Sequence, residues 1–363
     1  MRAFLRLFFV IVLVVASALP ASARRKKAHP THTPPAAHKW SDAEIEAATR
    51  LQVFLDRANF SSGRLDGHYG DFTLKALALY RQSRGEPAAP PPSKPARAPN
   101  LTGIDLASVG PAFVPYTVTD ADARNVGPLP DAVKEKAKLK ALPYRNLREA
   151  IAEKFHSDPK FLDQLNPGKM MALKPGDQVR VPNVEPFELE AVKDLKPGNE
   201  VAAPAANEID DQPDAQTPNP NQPSEPPPAA MNVKVDVKTN MLGVFEGDKI
   251  VAAYPVTVGS EQTALPIGEW KVRGVAKLPT FRYDEKMLQE GERSKDFQTL
   301  PPGPNNPAGV LWIALNKRGI GIHGTDDPDT IGRSLSHGCI RLGNWDIVRL
   351  AGRVKNGVPV SVH

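Results

Sequence analysis

The sequence lacks an apolar run long enough to cross a membrane. Its most apolar stretch, residues 7–19, rises about 1.5 Å per residue as a helix and falls short of a hydrocarbon core roughly 30 Å thick. Arg2 and Arg6 precede this stretch, and Ala21-Ser22-Ala23 follows it, which is the pattern of a cleavable secretory signal. We therefore expect residues 1–23 to be a signal peptide and the protein to be exported.

A strong charge imbalance is also absent. The chain has 46 Lys and Arg against 41 Asp and Glu, and cleavage after residue 23 would leave 44 against 41 because it removes Arg2 and Arg6. The one basic cluster, residues 24–27, opens a Pro-rich tail at 24–39 and is typical of a solvated run rather than a recognition patch. Nucleic acid is not an expected partner.

Cysteine is limited to Cys339, so no disulfide can form within the chain. In an exported protein an odd cysteine is a reactive thiol or pairs between molecules. The alternative, a small buried hydrophobic residue, would suit a cytosolic protein better. The single cysteine therefore indicates a chemical role for Cys339.

Proline, in contrast, is abundant, with 38 residues or roughly twice the average share. It concentrates in stretches that cannot form helix interiors or central strands, namely the tail at 24–39, a linker at 86–111 and an acidic linker at 185–230. We expect these linkers to stay extended and to hold the flanking segments apart.

Residues 40–85, the helical segment, show two helix patterns around a turn. Ser41 and Glu44 have capping-box spacing ahead of the first helix, and the second helix follows the Asp-Gly-His-Tyr-Gly turn at 66–70. With Leu-Gln at 51–52, this pattern resembles the peptidoglycan-binding domain of cell-wall enzymes. A generic helical hairpin is the alternative.

Residues 112–184, the α+β segment, predict two helices, the second capped by Ser157 or Asp158 ahead of Pro159, and then a turn at 174–177 into an alternating strand. The order resembles a LysM carbohydrate-binding module, in which two helices pack on a two-stranded sheet. The first strand would be residues 116–118, which leaves a long insertion before the helix. An unassigned α+β spacer is the alternative.

Residues 231–363, the β segment, form the one stretch large enough to bury a substantial core and still hold a cleft. Alternation from residue 233 to 237 and a hairpin around the turn at 246–248 predict strands, as do residues 269–275 and 310–315. A helix with an apolar stripe from Ile347 to Val354 and a closing strand complete the segment.

The β segment also contains Gly-Ile-His-Gly-Thr at 321–325 and Ser-His-Gly-Cys-Ile-Arg-Leu at 336–342. A thiol near an imidazole is the arrangement for nucleophilic catalysis, because an imidazolium partner can lower the thiol pKa and favour the thiolate at neutral pH. His337 lies two residues from Cys339, but His323 could be brought in from another strand. Local spacing cannot decide which of them is the base.

The residues next to Cys339 fit acyl transfer. Gly338 permits a turn that presents N–H groups to an oxyanion, and Arg341 can hold a carboxylate. A zinc site with His323, His337 and Cys339 as ligands is a rival, but its fourth ligand is unspecified and the spacing is not a recognised one.

These two motifs together resemble the signature of the L,D-transpeptidase catalytic domain family, and the upstream Tyr-Pro-Val-Thr-Val-Gly and Pro-Ile-Gly-Glu-Trp-Lys-Val resemble its early strands. The resemblance covers about 231–363. Residues 264–268 depart from the Thr-Pro-x-Gly that the family commonly has. The resemblance implies a mainly β, mixed-sheet sandwich, preceded here by a small helical domain and a small α+β domain.

The resemblance also implies roles for particular residues. Cys339 would be the nucleophile and His323 the general base, with its imidazole oriented by the Gly324 carbonyl. His337, Gly338 and the Cys339 N–H would form the oxyanion region. The substrate-side residues would be Ser336, Thr325 and Arg341. No cofactor and no metal is implied, and the family is sensitive to carbapenems.

The implied reaction transfers the acyl group of the third residue of a peptidoglycan stem and releases D-alanine. The acceptor would be an amine of another stem, which gives a 3→3 cross-link, or an amine of a wall-anchored lipoprotein or outer-membrane protein. Water as acceptor would give L,D-carboxypeptidase activity. The partners are then stem peptides and glycan, and the location is the periplasm or cell wall. A non-catalytic peptidoglycan-binding protein is the alternative, whereas a papain-like amidase would place its cysteine before its histidine.

Overall fold

The structure, a computed structural model, describes residues 40–87, 98–195, 231–259, 267–290, 292–316, 320–332 and 339–363. The expected signal peptide and the basic tail lie outside the described residues. Trp40–His363 group into one unit. None of the helices in the described ranges is both long and apolar enough to cross a bilayer.

The helical segment contains α1 (Asp42–Arg57) and α2 (Asp71–Ser83). The predicted capping box is confirmed, since Ser41 Oγ accepts the Glu44 N–H at 3.3 Å and Glu44 Oε2 accepts the Ser41 N–H at 2.8 Å. Gln52 holds the turn between the helices: its side-chain nitrogen donates to Asp66 Oδ1 at 2.8 Å and its oxygen accepts the Gly67 N–H at 3.0 Å. The Leu-Gln pair and the Asp-Gly turn of the motif are thus physically linked.

The α+β segment begins with β1 (Phe113–Thr117), α3 (Asp120–Arg124) and α4 (Val133–Lys136), continues with α5 (Leu147–Lys154), α6 (Pro159–Leu165) and β2 (Gln178–Pro182), and is followed by α7 (Ala191–Asp194). β1 and β2 pair antiparallel, with Tyr116 opposite Val179. Asp158 caps α6 by accepting the Lys160 N–H at 2.7 Å. This is one of the two predicted caps, Ser157 or Asp158. The first strand starts three residues earlier than predicted.

The β segment contains β3 (Met231–Asp236), β4 (Met241–Glu246), β5 (Lys249–Pro255), β6 (Gly268–Lys277), β7 (Phe281–Tyr283), α8 (Glu285–Glu290), β8 (Gln298–Leu300), β9 (Leu311–Leu315), β10 (Gly321–His323), β11 (Ile340–Arg341), α9 (Asn344–Ala351) and β12 (Pro359–Val362). Eight of these strands form one sheet in the order β11-β10-β9-β6-β12-β3-β4-β5, while β7 and β8 pair separately. The β12–β3 and β10–β11 pairs are parallel and the other pairs are antiparallel. The mixed, mainly β fold is therefore confirmed.

The eight-stranded sheet is curled so that its two edge strands approach each other. Just after β5, Thr257 exchanges two main-chain hydrogen bonds with Arg341 of β11, at 3.0 and 2.9 Å. The outer edge of β5 is covered as well, because Ala253 bonds to Asn59 and Ser61 of the helical segment, both at 2.9 Å. Apolar side chains from β3, β5, β9 and α9 fill the interior of the curl.

The three segments contact one another directly. Arg349 of α9 donates to both carboxylate oxygens of Asp56 in α1, at 2.9 and 3.0 Å, and His156 Nδ1 lies 2.9 Å from the same carboxylate. Val109 of the linker at 86–111 and Val192 of the linker at 185–230 belong to buried apolar clusters. The expectation that the Pro-rich linkers hold the segments apart is wrong for the described residues, because buried ion pairs and apolar side chains join them.

Candidate functional site

The site lies on one face of the sheet where β9, β10 and β11 run side by side. In the register, His323 is opposite Trp312 on one side and Arg341 on the other, and Ile322 is opposite Ile340. Because paired residues on neighbouring strands point to the same face, His323 and Arg341 share a face while Ile322 and Ile340 point into the core. Both isoleucines are fully buried there.

Cys339 comes directly before β11, so the parallel register sets it at the level of Gly321 and on the face of His323. Strand spacing and rise then separate the Cα atoms of Cys339 and His323 by roughly 8 Å, a diagonal that an imidazole can reach across. Cys339 is half-buried and packs against an apolar cluster formed by Ala276, Ala308, Trp312 and Ala314.

His323 is held in one orientation. Its side chain is 5% exposed, its ring stacks on Trp312 with centroids 5.0 Å apart, and Nδ1 lies 2.6 Å from the Gly324 carbonyl oxygen. Since a carbonyl oxygen can only accept, Nδ1 carries the proton and Nε2 of the neutral ring carries a lone pair. The hydrogen bond that the expected Gly324 role requires is therefore present.

The ring is uncharged at neutral pH. Burial, with the Arg341 guanidinium as the second cause, lowers the pKa of His323 to about 3, against the opposing effect of the Gly324 and Ala308 carbonyls. A neutral imidazole with a proton on Nδ1 can take a proton at Nε2. His323 thus has the state of a general base.

The Cys339 thiol is also in its neutral form at rest. Burial raises the pKa of Cys339 above its ordinary value, although the Gly321 main-chain hydrogen bond and the Arg341 charge act in the opposite direction. The buried His323 ring is neutral and offers no positive charge that would lower the pKa of Cys339. Both side chains are therefore uncharged in the resting site.

Arg341 supplies the positive charge of the site. It is half-buried in β11, and its main chain is fixed by the two hydrogen bonds to Thr257. Burial lowers the pKa of its guanidinium, while Cys339, Asp326 and Asp327 oppose this shift. The Arg341 charge is therefore close enough to affect the pKa values of both Cys339 and His323.

The remaining predicted residues lie in different places. Thr325 is fully buried, and its hydroxyl accepts the Asp327 N–H at 3.1 Å, so the side chain holds the turn after β10 and faces away from the open surface. Ser336, His337 and Gly338 lie outside the described residues. No group of three or more His, Cys, Asp or Glu side chains suited to a metal ion occurs in the part of the chain that the structure describes.

Sequence reasoning missed two residues that shape the site. Trp312 stacks on His323, and Gly321 makes room for that ring, because a Cβ at Gly321 would lie 2.5 Å from two Trp312 ring carbons. One signal was available, since a tryptophan interrupts the aliphatic run at 310–315 and a glycine lies two residues before the histidine.

The fold and the site define a class of protein in which a curled mixed sheet presents a histidine from one strand and a cysteine from the residue just before the adjacent parallel strand. The sequence profile of the L,D-transpeptidase catalytic domain matches residues 231–362. L,D-transpeptidase YqjB of Bacillus subtilis is 31% identical over 142 residues, which are 38% of this chain and 73% of that protein. The chain therefore belongs to the L,D-transpeptidase family.

A second curated relative gives the same assignment over a similar share of the chain. L,D-transpeptidase YkuD of Bacillus licheniformis is 32% identical over 130 residues, which are 36% of this chain. The match spans 64% of that relative, a little under two thirds of its length. The crystal structure of a mutant of an Enterococcus faecium L,D-transpeptidase is 22% identical in sequence to this chain and has a TM-score of 0.30. The match covers 37% of this chain and 50% of that chain.

Proposed function

We propose that this protein is an exported peptidoglycan L,D-transpeptidase that uses Cys339 as its nucleophile and forms 3→3 cross-links. The observation that supports this most is the state of His323, a neutral imidazole whose Nδ1–H is bound to the Gly324 carbonyl on the face that Cys339 shares. The family assignment supports the reaction class.

In the first half-reaction, His323 Nε2 takes the thiol proton while Cys339 Sγ attacks the carbonyl carbon of the third stem residue. The tetrahedral intermediate then collapses, the bond to D-alanine breaks, and the His323 proton goes to the leaving amine. A thioester on Cys339 remains. This order needs no preformed thiolate, in agreement with the raised pKa of Cys339.

In the second half-reaction, an amine of another stem attacks the thioester and His323 accepts its proton. Amide formation releases the Cys339 thiolate, which recovers the proton from the imidazolium. An amine of a wall-anchored lipoprotein or outer-membrane protein would give protein attachment by the same steps, and water would give L,D-carboxypeptidase activity.

The developing oxyanion would be bound by His337, Gly338 and the Cys339 N–H, the roles that the family resemblance implies. Arg341, which borders both reacting groups, would position the stem. We extend the proposal to the N-terminal part of the chain, where residues 1–23 direct export to the periplasm or cell wall and the helical and α+β segments bind peptidoglycan glycan. Binding segments attached to a catalytic one raise its local concentration on a polymer.

Intact-mass spectrometry of the residue 24–363 protein with a disaccharide tetrapeptide tests this function. We expect a thioester adduct with release of D-alanine, and its loss in Cys339→Ala, a variant that keeps binding to isolated cell wall. A dimeric product would support cross-linking, and a hydrolysed tripeptide would support the carboxypeptidase. Wall binding without any adduct in the folded wild-type protein would favour a non-catalytic binding protein.

A further inference from the structure

Asn344, at the start of α9, joins the β segment to the α+β segment. Its side chain is fully buried. The amide nitrogen donates to Glu153 Oε1 of α5 at 2.6 Å, and the amide oxygen accepts the Val310 N–H at 3.1 Å. One side chain therefore connects a carboxylate from another segment to the residue just before β9.

The same amide oxygen lies close to the main chain at two glycines, Gly324 and Gly309. A Cβ on Gly324 would lie 2.2 Å from Asn344 Oδ1, and one on Gly309 would lie 2.3 Å from it. Only glycine permits so close an approach. Gly324 provides the carbonyl that accepts the Nδ1–H of His323, and Gly309 follows Ala308, whose carbonyl also faces the imidazole.

The α+β segment also holds residues 301–310 directly. Leu142 N–H donates to the Pro302 carbonyl at 2.8 Å. Asn305 donates through its side-chain nitrogen to the Pro143 carbonyl at 2.7 Å and to Glu149 Oε1 at 2.8 Å. The stretch that carries Ala308 and Gly309 is thus fixed at one end by the α+β segment and at the other by Asn344.

We propose that Glu153 is a positioning residue for the reaction centre, acting through Asn344 on the two main-chain stretches that orient His323. This inference rests on the proposed function, in which His323 is the base. The α+β segment would then be part of the catalytic scaffold as well as a binding segment, and its removal would impair chemistry on substrates too small to need wall binding.

The electrostatics of Glu153 agree with this role. Burial raises the pKa of Glu153 to about 7, although hydrogen bonds from Tyr144 and Asn344 favour the carboxylate; Glu149 and Asp326 add to the increase. The carboxylate that accepts from Asn344 is therefore present above about pH 7 and is lost as the pH falls below it.

The test measures acylation of Cys339 by a carbapenem in the full chain, with the maximum rate and the half-saturating concentration obtained from intact-mass time courses. In Glu153→Ala we expect the maximum rate to fall roughly tenfold to hundredfold with the half-saturating concentration unchanged. Glu153→Gln retains an acceptor oxygen for Asn344 and is expected to recover most of the rate.

Lys154→Gln is the matched control. It is the next residue of α5, and its ion pairs are with Asp122 (2.9 Å) and Glu188 (2.8 Å). Asn344 instead bonds to Glu153, Pro304 and Val310. We expect it to acylate at the wild-type maximum rate. Equal losses in Glu153→Ala and Lys154→Gln would overturn the proposal, because the effect would then be general destabilisation. If Glu153→Ala fails to fold, Glu153→Asp draws the carboxylate back from Asn344, and a wild-type rate there would overturn it.

A second measurement does not need activity. In protein with 15N-labelled histidine, the His323 ring signals, assigned by their loss in His323→Gln, report the Nδ1–H tautomer. We expect Glu153→Ala to shift them toward a mixed tautomer and Lys154→Gln to leave them unchanged. A wild-type protein that no carbapenem acylates would count against the proposed function, whereas unchanged His323 signals in Glu153→Ala would overturn the positioning role.

Discussion

At the scale of single residues, the two side chains proposed to react, Cys339 and His323, are both uncharged at rest. Burial keeps the Cys339 thiol protonated and keeps the His323 ring neutral. A thiolate–imidazolium pair would react at low pH, while a neutral pair needs a base to remove the proton during attack. The two arrangements give different pH dependence.

The pH profile of Cys339 alkylation distinguishes them. Because the pKa of Cys339 is raised and His323 is uncharged near neutrality, we expect the rate with iodoacetamide to keep rising between about pH 6 and pH 9. Mass spectrometry gives the rate directly, since the chain has one cysteine. A plateau already reached near pH 6 would indicate a preformed thiolate and contradict the neutral pair.

Arg341 is the charge that modulates both groups. Its guanidinium lowers the pKa of Cys339 and of His323, so in Arg341→Gln both pKa values rise. We expect alkylation of Cys339 at pH 8 to slow several-fold, since about one pKa unit is a tenfold change in thiolate. Arg341→Lys keeps the charge and serves as the control. Identical rates in both variants would mean that the charge has no effect on the thiol.

At the scale of elements, the short strands β10 and β11 carry the site, and their packing tolerates little change. In Gly321→Ala the new Cβ would lie 2.5 Å from Trp312 ring carbons and 2.9 Å from the Ile313 carbonyl oxygen. We expect a loss of about 1–3 kcal/mol in the free energy of unfolding and slower acylation, because Trp312 stacks on His323. Urea unfolding measures the first and carbapenem acylation the second.

Gly352→Ala is the control for this prediction. Gly352 has helical backbone angles, and the nearest atom to its Cβ would be 3.6 Å away. We expect its stability to lie within about 0.5 kcal/mol of the wild type or above it. A Gly321→Ala protein as stable and active as Gly352→Ala would show that Trp312 can move without consequence for His323.

The sequence predicted the long strands and missed the short ones. The turn at 246–248 does join β4 to β5, and the predicted strand at 269–275 lies within β6. Strands of two and three residues have no periodicity to detect, so β10 and β11 were accessible only through the motif. Spacing could not choose between His323 and His337 as the base, and the proposal of His323 came from the family resemblance.

At the scale of the whole molecule, buried carboxyls sit where the segments meet. Burial, aided by Asp56 and opposed by Arg349, raises the pKa of Asp346 to about 7, and Ser61 of the helical segment donates to Asp346 at 2.9 Å. The folded protein therefore holds protons on Asp346 and Glu153 that the unfolded chain releases. These bound protons stabilise the folded state. The stabilisation is complete at a pH below the ordinary carboxyl pKa and is lost as the pH rises through about 7.

Asp346→Asn tests this linkage. The variant loses one of the two raised carboxyls, so we expect the free energy of unfolding to fall less steeply between about pH 5 and pH 7, by at most about 1.4 kcal/mol per pH unit. Burial lowers the pKa values of His156 and His323, which gives an opposite slope in both proteins. Urea unfolding at several pH values provides the measurement, with Asp248→Asn at an exposed turn as control. Parallel curves for wild type and Asp346→Asn would contradict the buried-acid account.

The contacts between segments were the part of the fold that composition could not predict. Proline content indicates where the chain is extended, but it carries no information about which surfaces meet. The Asp56–Arg349 pair joins residues 293 positions apart, and neither residue belongs to a motif. The packing of the three segments against one another is therefore known only from the three-dimensional structure.

The covered edges of the curled sheet have a consequence for how a peptide can be recognised. Many proteins bind an extended peptide as an additional strand, through main-chain hydrogen bonds at an open edge. Here Arg341 of β11 bonds to Thr257, and Ala253 of β5 bonds to Asn59 and Ser61, so the main-chain groups of these two strand residues are already used. If the substrate is a stem peptide, as we propose, it cannot add as a strand at these positions. We then expect its side chains to contribute more to selection than its backbone does.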